Sequence, residues 1–313
     1  MPKTSCPPFV AAFLLCAAAA GAVAAENSTN PANSLLPDQS TTLHRGSRLN
    51  WLLTWPEKEK QADGEEDEKA KEEPLESDRP DFTEASSTVG FRRLQIESGY
   101  TYTRGVDGNP THDAHDLPEM LVRYGLAERL ELRIAWDEGM VFERSLDPKS
   151  GHVVSENGST DVEFGFKCAL TKQDEWRPQT ALIVAVSAPI GAPSQTSGQV
   201  DVRINYCYSW ELSKRVSLAC STGNLCTAES ADRFSQFFQS ASIEYELTEK
   251  LHCFNEWYIL LRSGFSDERP QPYYDAGLTY LVTPNFQLDW RAGLGLNNAA
   301  DGFFTGCGFT VRR

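Results

Sequence analysis

Apolar and polar residues alternate with a period of two from residue 91 to the C-terminus. The pattern is clearest in residues 91–103, FRRLQIESGYTYT, where Leu94, Ile96, Tyr100 and Tyr102 fall on one face. A period of two indicates a strand with one apolar and one polar face. Because the alternation returns about twelve times, it predicts an all-β fold.

The connections between the predicted strands alternate in length. Five are long and polar and four are only a few residues. The long ones are residues 104–116, 138–158, 189–198, 223–232 and 262–272, and the short ones are residues 127–129, 211–214, 248–250 and 283–285. Outer-membrane barrels combine long external loops, short periplasmic turns and an even strand count. We therefore predict a transmembrane antiparallel up-and-down β-barrel of about 12 strands in residues 91–313.

The N-terminal part of the chain has a different composition. Lys3 precedes an apolar run at residues 9–25 that ends in small residues, so residues 1–25 are predicted to be a secretory signal peptide. A membrane anchor and a lipoprotein site at Cys16 are the alternatives. Residues 26–76 are polar and then strongly acidic, which predicts a disordered periplasmic linker. Residues 77–90 are a lead-in to the barrel or a plug segment.

Charge and hydropathy narrow the functional classes. The net charge of −15 argues against nucleic acid as a partner, because nucleic-acid binding needs clustered Lys and Arg. The mean hydropathy of −0.42 agrees with a barrel whose lumen and loops are charged. The predicted location is the outer membrane of a Gram-negative-type cell. The predicted partners are outer-membrane lipid, the barrel-assembly machinery and a small-molecule solute.

Charged residues on the polar faces of the strands are the main candidate site. They can form structural salt bridges in a narrow lumen, or they can set the selectivity of a pore. These lumen candidates are Arg93, Glu97, Arg123, Arg133, Asp161, Glu163, Lys167, Asp201, Arg203, Glu244, Asp289 and Arg291.

Several longer stretches resemble one family. They are SDRPDFTEASSTV (77–89), RLQIESGYTYT (93–103), YGLAERLELRIAW (124–136), STDVEFGFK (159–167), YLVTPNFQLDWRAGLGLN (280–297) and GFFTGCGFTVR (302–312). Together they resemble the bacterial outer-membrane family labelled MetA-pathway of phenol degradation, or simply "transporter". The resemblance implies an outer-membrane barrel that passes small, hydrophobic or aromatic molecules. The chain departs from the usual aromatic C-terminus of such barrels, since it ends Val311-Arg312-Arg313 and only Phe309 could take that role.

The segment before the first strand carries a second group of candidates. Arg79 can make forked bonds to a carboxylate, and Asp81 and Glu84 can accept from strand ends or from lumen arginines. Phe82 is the apolar anchor of the stretch. We expect these four residues to dock the segment in the periplasmic mouth, where it narrows the pore. The alternative is a surface tether.

Other chemistry finds less support in the sequence. The run from His112 to Asp116 contains metal-ligand types without a second pair, so neither a metal nor a cofactor is predicted. Cys220 and Cys226 could bridge across a loop. An outer-membrane lipid hydrolase would need a serine beside His252, and GxSxG is absent, so no catalytic residue and no enzyme is predicted. A barrel without an open pore and a periplasmic β-sandwich are the remaining alternatives.

Overall fold

The computed structural model describes residues 73–106, 109, 111–147, 150–229, 232–264 and 268–313, and these residues contain fourteen β-strands. The strands are β1 (Leu94–Arg104), β2 (His112–Ala127), β3 (Leu130–Trp136), β4 (Met140–Leu146), β5 (Val153–Ser159), β6 (Val162–Thr171), β7 (Gln179–Ala188), β8 (Val202–Ser213), β9 (Val216–Glu229), β10 (Asp232–Glu246), β11 (Leu251–Ser263), β12 (Gln271–Thr283), β13 (Phe286–Gly295) and β14 (Phe303–Arg312). The predicted signal peptide and the linker up to residue 72 lie outside the described residues.

Twelve of the strands close into a barrel. β1 pairs with β14 on one side and with β2 on the other, and the ring runs through β3 and then β6 to β14 in chain order. All of these pairings are antiparallel. The predicted twelve-stranded up-and-down barrel is therefore confirmed. We call the rim where β1 begins and β14 ends the terminal end, and the opposite rim the far end.

Two predicted loops are wrong. Residues 138–158 contain the hairpin β4–β5, which pairs with a far-end extension of β2 that begins at His112. Residues 223–232 belong largely to β9 and β10, and Glu229 pairs with Asp232. In residues 138–158 apolar residues stand side by side, as Val141 does with Phe142 and Val153 with Val154, and residues 223–232 are mostly small or polar. No clean apolar alternation therefore marks either stretch. Their backbone groups still gain partners by extending the ladder.

The two faces of the barrel have opposite chemistry. Phe164, Phe166 and Val184 point outward and are 45%, 50% and 43% exposed. Glu97 and Arg123 point into the lumen and are fully buried. An apolar outer band with a polar interior is the arrangement of a membrane barrel. The strand faces therefore follow the predicted register.

No helix among the described residues is long and apolar enough to cross a membrane.

β11 resolves an ambiguity of the sequence. Phe254 and Tyr258 point inward while Trp257 points outward, so both faces carry large apolar groups. The alternation alone therefore could not assign Glu256. The structure places Glu256 inward, with 1% of its surface exposed.

The structure excludes the bridge between Cys220 and Cys226 that the sequence leaves open. Both residues lie on β9, six positions apart on one extended strand, and no disulfide joins them. A strand rises about 3.4 Å per residue, which separates these Cα atoms by roughly 20 Å. A disulfide needs Cα atoms about 4.4–6.8 Å apart.

Candidate functional site

Residues 73–90, which we call the inner segment, enter the barrel at the terminal end and return to it. At the entrance, the Leu75 N–H donates to the carbonyl of Pro284 in the β12–β13 turn (2.9 Å), and Arg312 donates to the carbonyl of Glu73 (2.5 Å). At the exit, the Thr88 hydroxyl donates to the carbonyl of Glu128 (2.7 Å). The segment between these points contacts side chains that line the lumen.

One side of the inner segment docks on a cluster of buried charges. Asp78 lies 2.5 Å from Arg133, 3.0 Å from Lys167 and 3.5 Å from Arg123. The barrel wall itself supplies Glu97 and Glu131, which also pair with Arg123. Buried charges are costly unless they are paired. Asp78, together with Glu84 on Arg133, therefore adds inner-segment carboxylates to the two wall carboxylates around three wall cations.

The balance of charges fixes the ionisation of Asp78. Burial alone raises its pKa, but Arg123, Lys167 and Arg133 outweigh burial and hold the pKa well below its ordinary value. The same carboxylate also accepts the backbone N–H of Ala85 within the segment (2.9 Å). Asp78 thus has two roles: it holds the inner segment together through Ala85, and it binds the segment to the wall cations.

Arg79 forms a second docking point. Its guanidinium pairs with Glu119 of β2 (2.5 Å) and with Asp289 of β13 (3.3 Å). The group lies against Gly99 and Gly308, which face each other across β1 and β14. A Cβ atom at either glycine would overlap the guanidinium. The two glycines therefore leave the space that the arginine occupies.

The other side of the segment packs on aromatic rings. Phe82 stacks on Tyr258 with a centroid distance of 4.5 Å and an interplanar angle of 8°. Tyr258 stacks in turn on Tyr273 (4.6 Å, 11°), and the edge of Phe238 meets Phe82 at 5.5 Å. The backbone N–H groups of Phe82 and Thr83 donate to the carboxylate of Glu256 at 2.6 and 2.7 Å.

A cavity of about 520 Å³ lies on the far-end side of the inner segment. One wall is aromatic, with Phe238, Tyr258, Tyr273 and Phe304. The opposite wall is charged. Its residues are Asp116, Glu119, Arg133, Asp137, Glu138 and Arg203. The volume falls within the range of small-molecule sites, which are about 300–1,000 Å³.

Eight of the twelve predicted lumen candidates fall into three groups. Glu97, Arg123, Arg133, Lys167 and Asp289 contact the inner segment. Towards the far end, Arg203 pairs with Glu163 (3.1 Å) and with Asp137 (2.9 Å). Arg291 lies 3.9 Å from Asp275 and over the ring of Phe304.

The remaining four lumen candidates lie away from the cluster. Arg93 precedes β1, and its backbone bonds to the turn at Gly90. Asp161 and Asp201 sit next to strand ends and bond to the 189–199 connection, through Thr196 and Ser197 respectively. Glu244 pairs with His252 at 2.8 Å.

Three of the four docking candidates contact the barrel wall. Arg79 and Glu84 pair with wall residues, Glu84 with Arg133 at 2.9 Å, and Phe82 is the apolar contact. Asp81 differs, because it faces Glu256 rather than an arginine. Burial and the Glu256 carboxylate raise the pKa of Asp81 well above its ordinary value.

Sequence reasoning missed Asp78, Glu131, Glu256 and Asp275. Glu131 was recognisable, since it alternates with Leu130 and Leu132 on a clean strand. Asp78 precedes the strands, where no period exists to assign a direction.

His112 and His115 lie on the far-end extension of β2, where His115 meets the hydroxyl of Tyr100 at 2.8 Å. No cluster of three or more metal-ligand side chains occurs in the part of the chain that the structure describes.

The barrel fold and its inner segment define a membrane-type barrel with a partly filled lumen. The chain belongs to the family described as "Putative MetA-pathway of phenol degradation", whose model matches residues 77–312. No curated protein matches the sequence.

Solved structures share the fold. An outer membrane channel from Pseudomonas putida F1 is 13% identical, with a TM-score of 0.54, and the match covers 76% of this chain and all of that one. The NanC porin is 10% identical, with a TM-score of 0.46, and the match covers 70% of this chain and 98% of the porin. At these identities the likeness concerns the fold.

Proposed function

We propose that the protein is an outer-membrane channel for small organic molecules, and that the inner segment is its plug. The cavity of about 520 Å³ between the inner segment and the far end carries this proposal. The family description supports an aromatic solute. The outer-membrane channel of similar fold supports the location and the transport role.

The proposed orientation places the terminal end in the periplasm. Connections at that end are short, for example residues 128–129, 214–215 and 284–285, whereas residues 189–201 and the β4–β5 hairpin lie at the far end. Outer-membrane barrels have short periplasmic turns and longer external loops. The chain would reach this membrane by its signal peptide and insert through the barrel-assembly machinery. Its outer band would then contact lipid.

A barrel without an open pore is the second candidate, because the inner segment bonds to the wall around the lumen. Its contacts reach β1, β2, β3, β6, β8, β10, β11 and β13. The hydrolase alternative gains no such support. His252 is paired with the carboxylate of Glu244 rather than with a serine.

Solute uptake tests the proposal. Cells that lack the protein should take up a small aromatic solute more slowly than cells complemented with the full chain. The solute is supplied at a concentration low enough that its passage across the outer membrane limits uptake. Complementation with a chain whose inner segment is cross-linked to the wall, Ser86→Cys with Ser209→Cys, should not restore uptake. These hydroxyls lie 2.6 Å apart. Equal uptake in all three strains would favour the barrel without a pore.

A further inference from the structure

The contacts of Phe82 and Thr83 have the chemistry of a ligand site. The ring of Phe82 is stacked between the face of Tyr258 and the edge of Phe238. The backbone N–H of Phe82 and the backbone N–H and hydroxyl of Thr83 all donate to one carboxylate, that of Glu256. A ring with hydrogen-bond donors at one edge is therefore what this part of the wall binds.

Four residues of the barrel wall form a patch of two directly opposed pairs. Tyr258 and Tyr273 are directly opposed across β11 and β12, and two residues nearer the terminal end Glu256 and Asp275 are opposed in the same way. All four side chains point into the lumen and are buried. Two stacked rings thus adjoin two carboxylates.

Asp275 is the part of this patch that the inner segment does not use. Its side chain is fully buried, its carboxyl group lies against that of Glu256, and no N–H or O–H donor of another described residue bonds to either oxygen. The nearest cation is Arg291, at 3.9 Å. An unsatisfied buried acceptor carries a free-energy cost, which is larger when the acceptor is charged. A donor that reached Asp275 would remove this cost.

We propose that Phe82 and Thr83 occupy a binding site for an aromatic solute that carries an O–H or N–H donor and is uncharged or cationic, and that such a solute competes with the inner segment. The proposal rests on the proposed channel function and specifies its solute. The ring takes the place of Phe82 against Tyr258, and the donor bonds to Glu256 and Asp275. An anionic aromatic is excluded, because its negative group would lie against the carboxyl groups of Asp81, Glu256 and Asp275.

Equilibrium binding to the full chain in detergent tests the site, with four probes of similar size: phenol, benzylamine, toluene and benzoate. Phe82→Ala vacates the ring position and should bind phenol and benzylamine at least tenfold more tightly than the wild type does. Toluene should gain less by about tenfold, the value of one hydrogen bond to a charged acceptor. Benzoate should gain nothing.

Two further variants distinguish a selective binding site from a cavity that binds any small molecule. Phe304→Ala removes a ring of the same cavity that does not stack on Phe82, so it should not favour phenol or benzylamine over toluene. Adding Asp275→Asn to Phe82→Ala should reduce the preference for benzylamine over toluene. Equal gains for all four probes, or the same preference in Phe304→Ala, would overturn the proposal.

A measurement on the wild type covers the case in which Phe82→Ala does not fold. Saturating benzylamine should speed hydrogen exchange at the amides of Phe82 and Thr83 severalfold, while benzoate should leave it unchanged. Unchanged exchange with benzylamine would overturn the competition. Neither readout requires flux, so a protein that binds these solutes but conducts none would contradict the channel and not this site.

Discussion

At the scale of single residues, Asp78 is the side chain on which the inner segment depends most. It is buried, and Arg123, Arg133 and Lys167 surround it. Its lowered pKa keeps it charged, so its contribution to stability is present above the ordinary carboxyl pKa. That contribution is lost only as the pH falls through the lowered value in the folded protein.

Asp78→Asn should therefore release the inner segment while the barrel remains folded. Removing one partner of a buried ion network costs about 3–5 kcal/mol, because the other charges stay buried. Hydrogen exchange of residues 73–90 should become faster, whereas exchange in β7 should not change. Glu76→Gln is the control, because Glu76 is exposed and its carboxylate bonds to Ser87 within the segment. Equal protection in both variants would contradict this role for Asp78.

Asp81 should have the opposite effect. Burial and Glu256 raise its pKa, so its stabilising contribution is present below the ordinary carboxyl pKa and is lost as the pH rises through the raised value. At neutral pH, Asp81→Asn should slow exchange in the inner segment. Below about pH 4 the difference should vanish, since both side chains are then neutral. A variant that exchanges faster than the wild type at neutral pH would show that the Asp81 charge is favourable.

At the scale of elements, the outward-facing residues of the strands show which medium surrounds the barrel. β6 and β7 place Phe164, Phe166, Val184 and Val186 outward, all more than a third exposed. On the inner face of β7, Ala181, Ile183 and Ala185 are buried. Such exposure is stable only where the surrounding medium is apolar.

Val184→Arg tests this account of the outer face. An arginine near the midplane of a membrane barrel costs about 2–4 kcal/mol. Trp176→Arg is the matched control, because Trp176 is 91% exposed but lies in the β6–β7 connection. Denaturant unfolding in lipid vesicles should show the loss for Val184→Arg and almost none for Trp176→Arg. Equal losses of stability in the two variants would show that Val184 does not lie in the apolar outer band of the barrel.

At the scale of the whole molecule, sequence periodicity was sufficient for the barrel and insufficient for its interior. Strand β3 begins and ends where the alternation predicts, because every outward residue is apolar. The β4–β5 hairpin and the far ends of β9 and β10 lack that contrast, so they were read as loops. The sequence also suggests that residues 79–84 dock in the periplasmic mouth of the barrel. It could not supply the partners, because Asp78 and Arg133, or Phe82 and Tyr258, meet only when the barrel closes.

The most direct test of the account is the conductance of a chain whose inner segment can be fixed and released. Asp78→Asn combined with Ser86→Cys and Ser209→Cys should be closed in a planar bilayer when the two thiols are oxidised, and should conduct after reduction. The same chain without Ser209→Cys should conduct in both states. Identical conductance of the cross-linked chain before and after reduction would contradict the proposal that residues 73–90 close the channel.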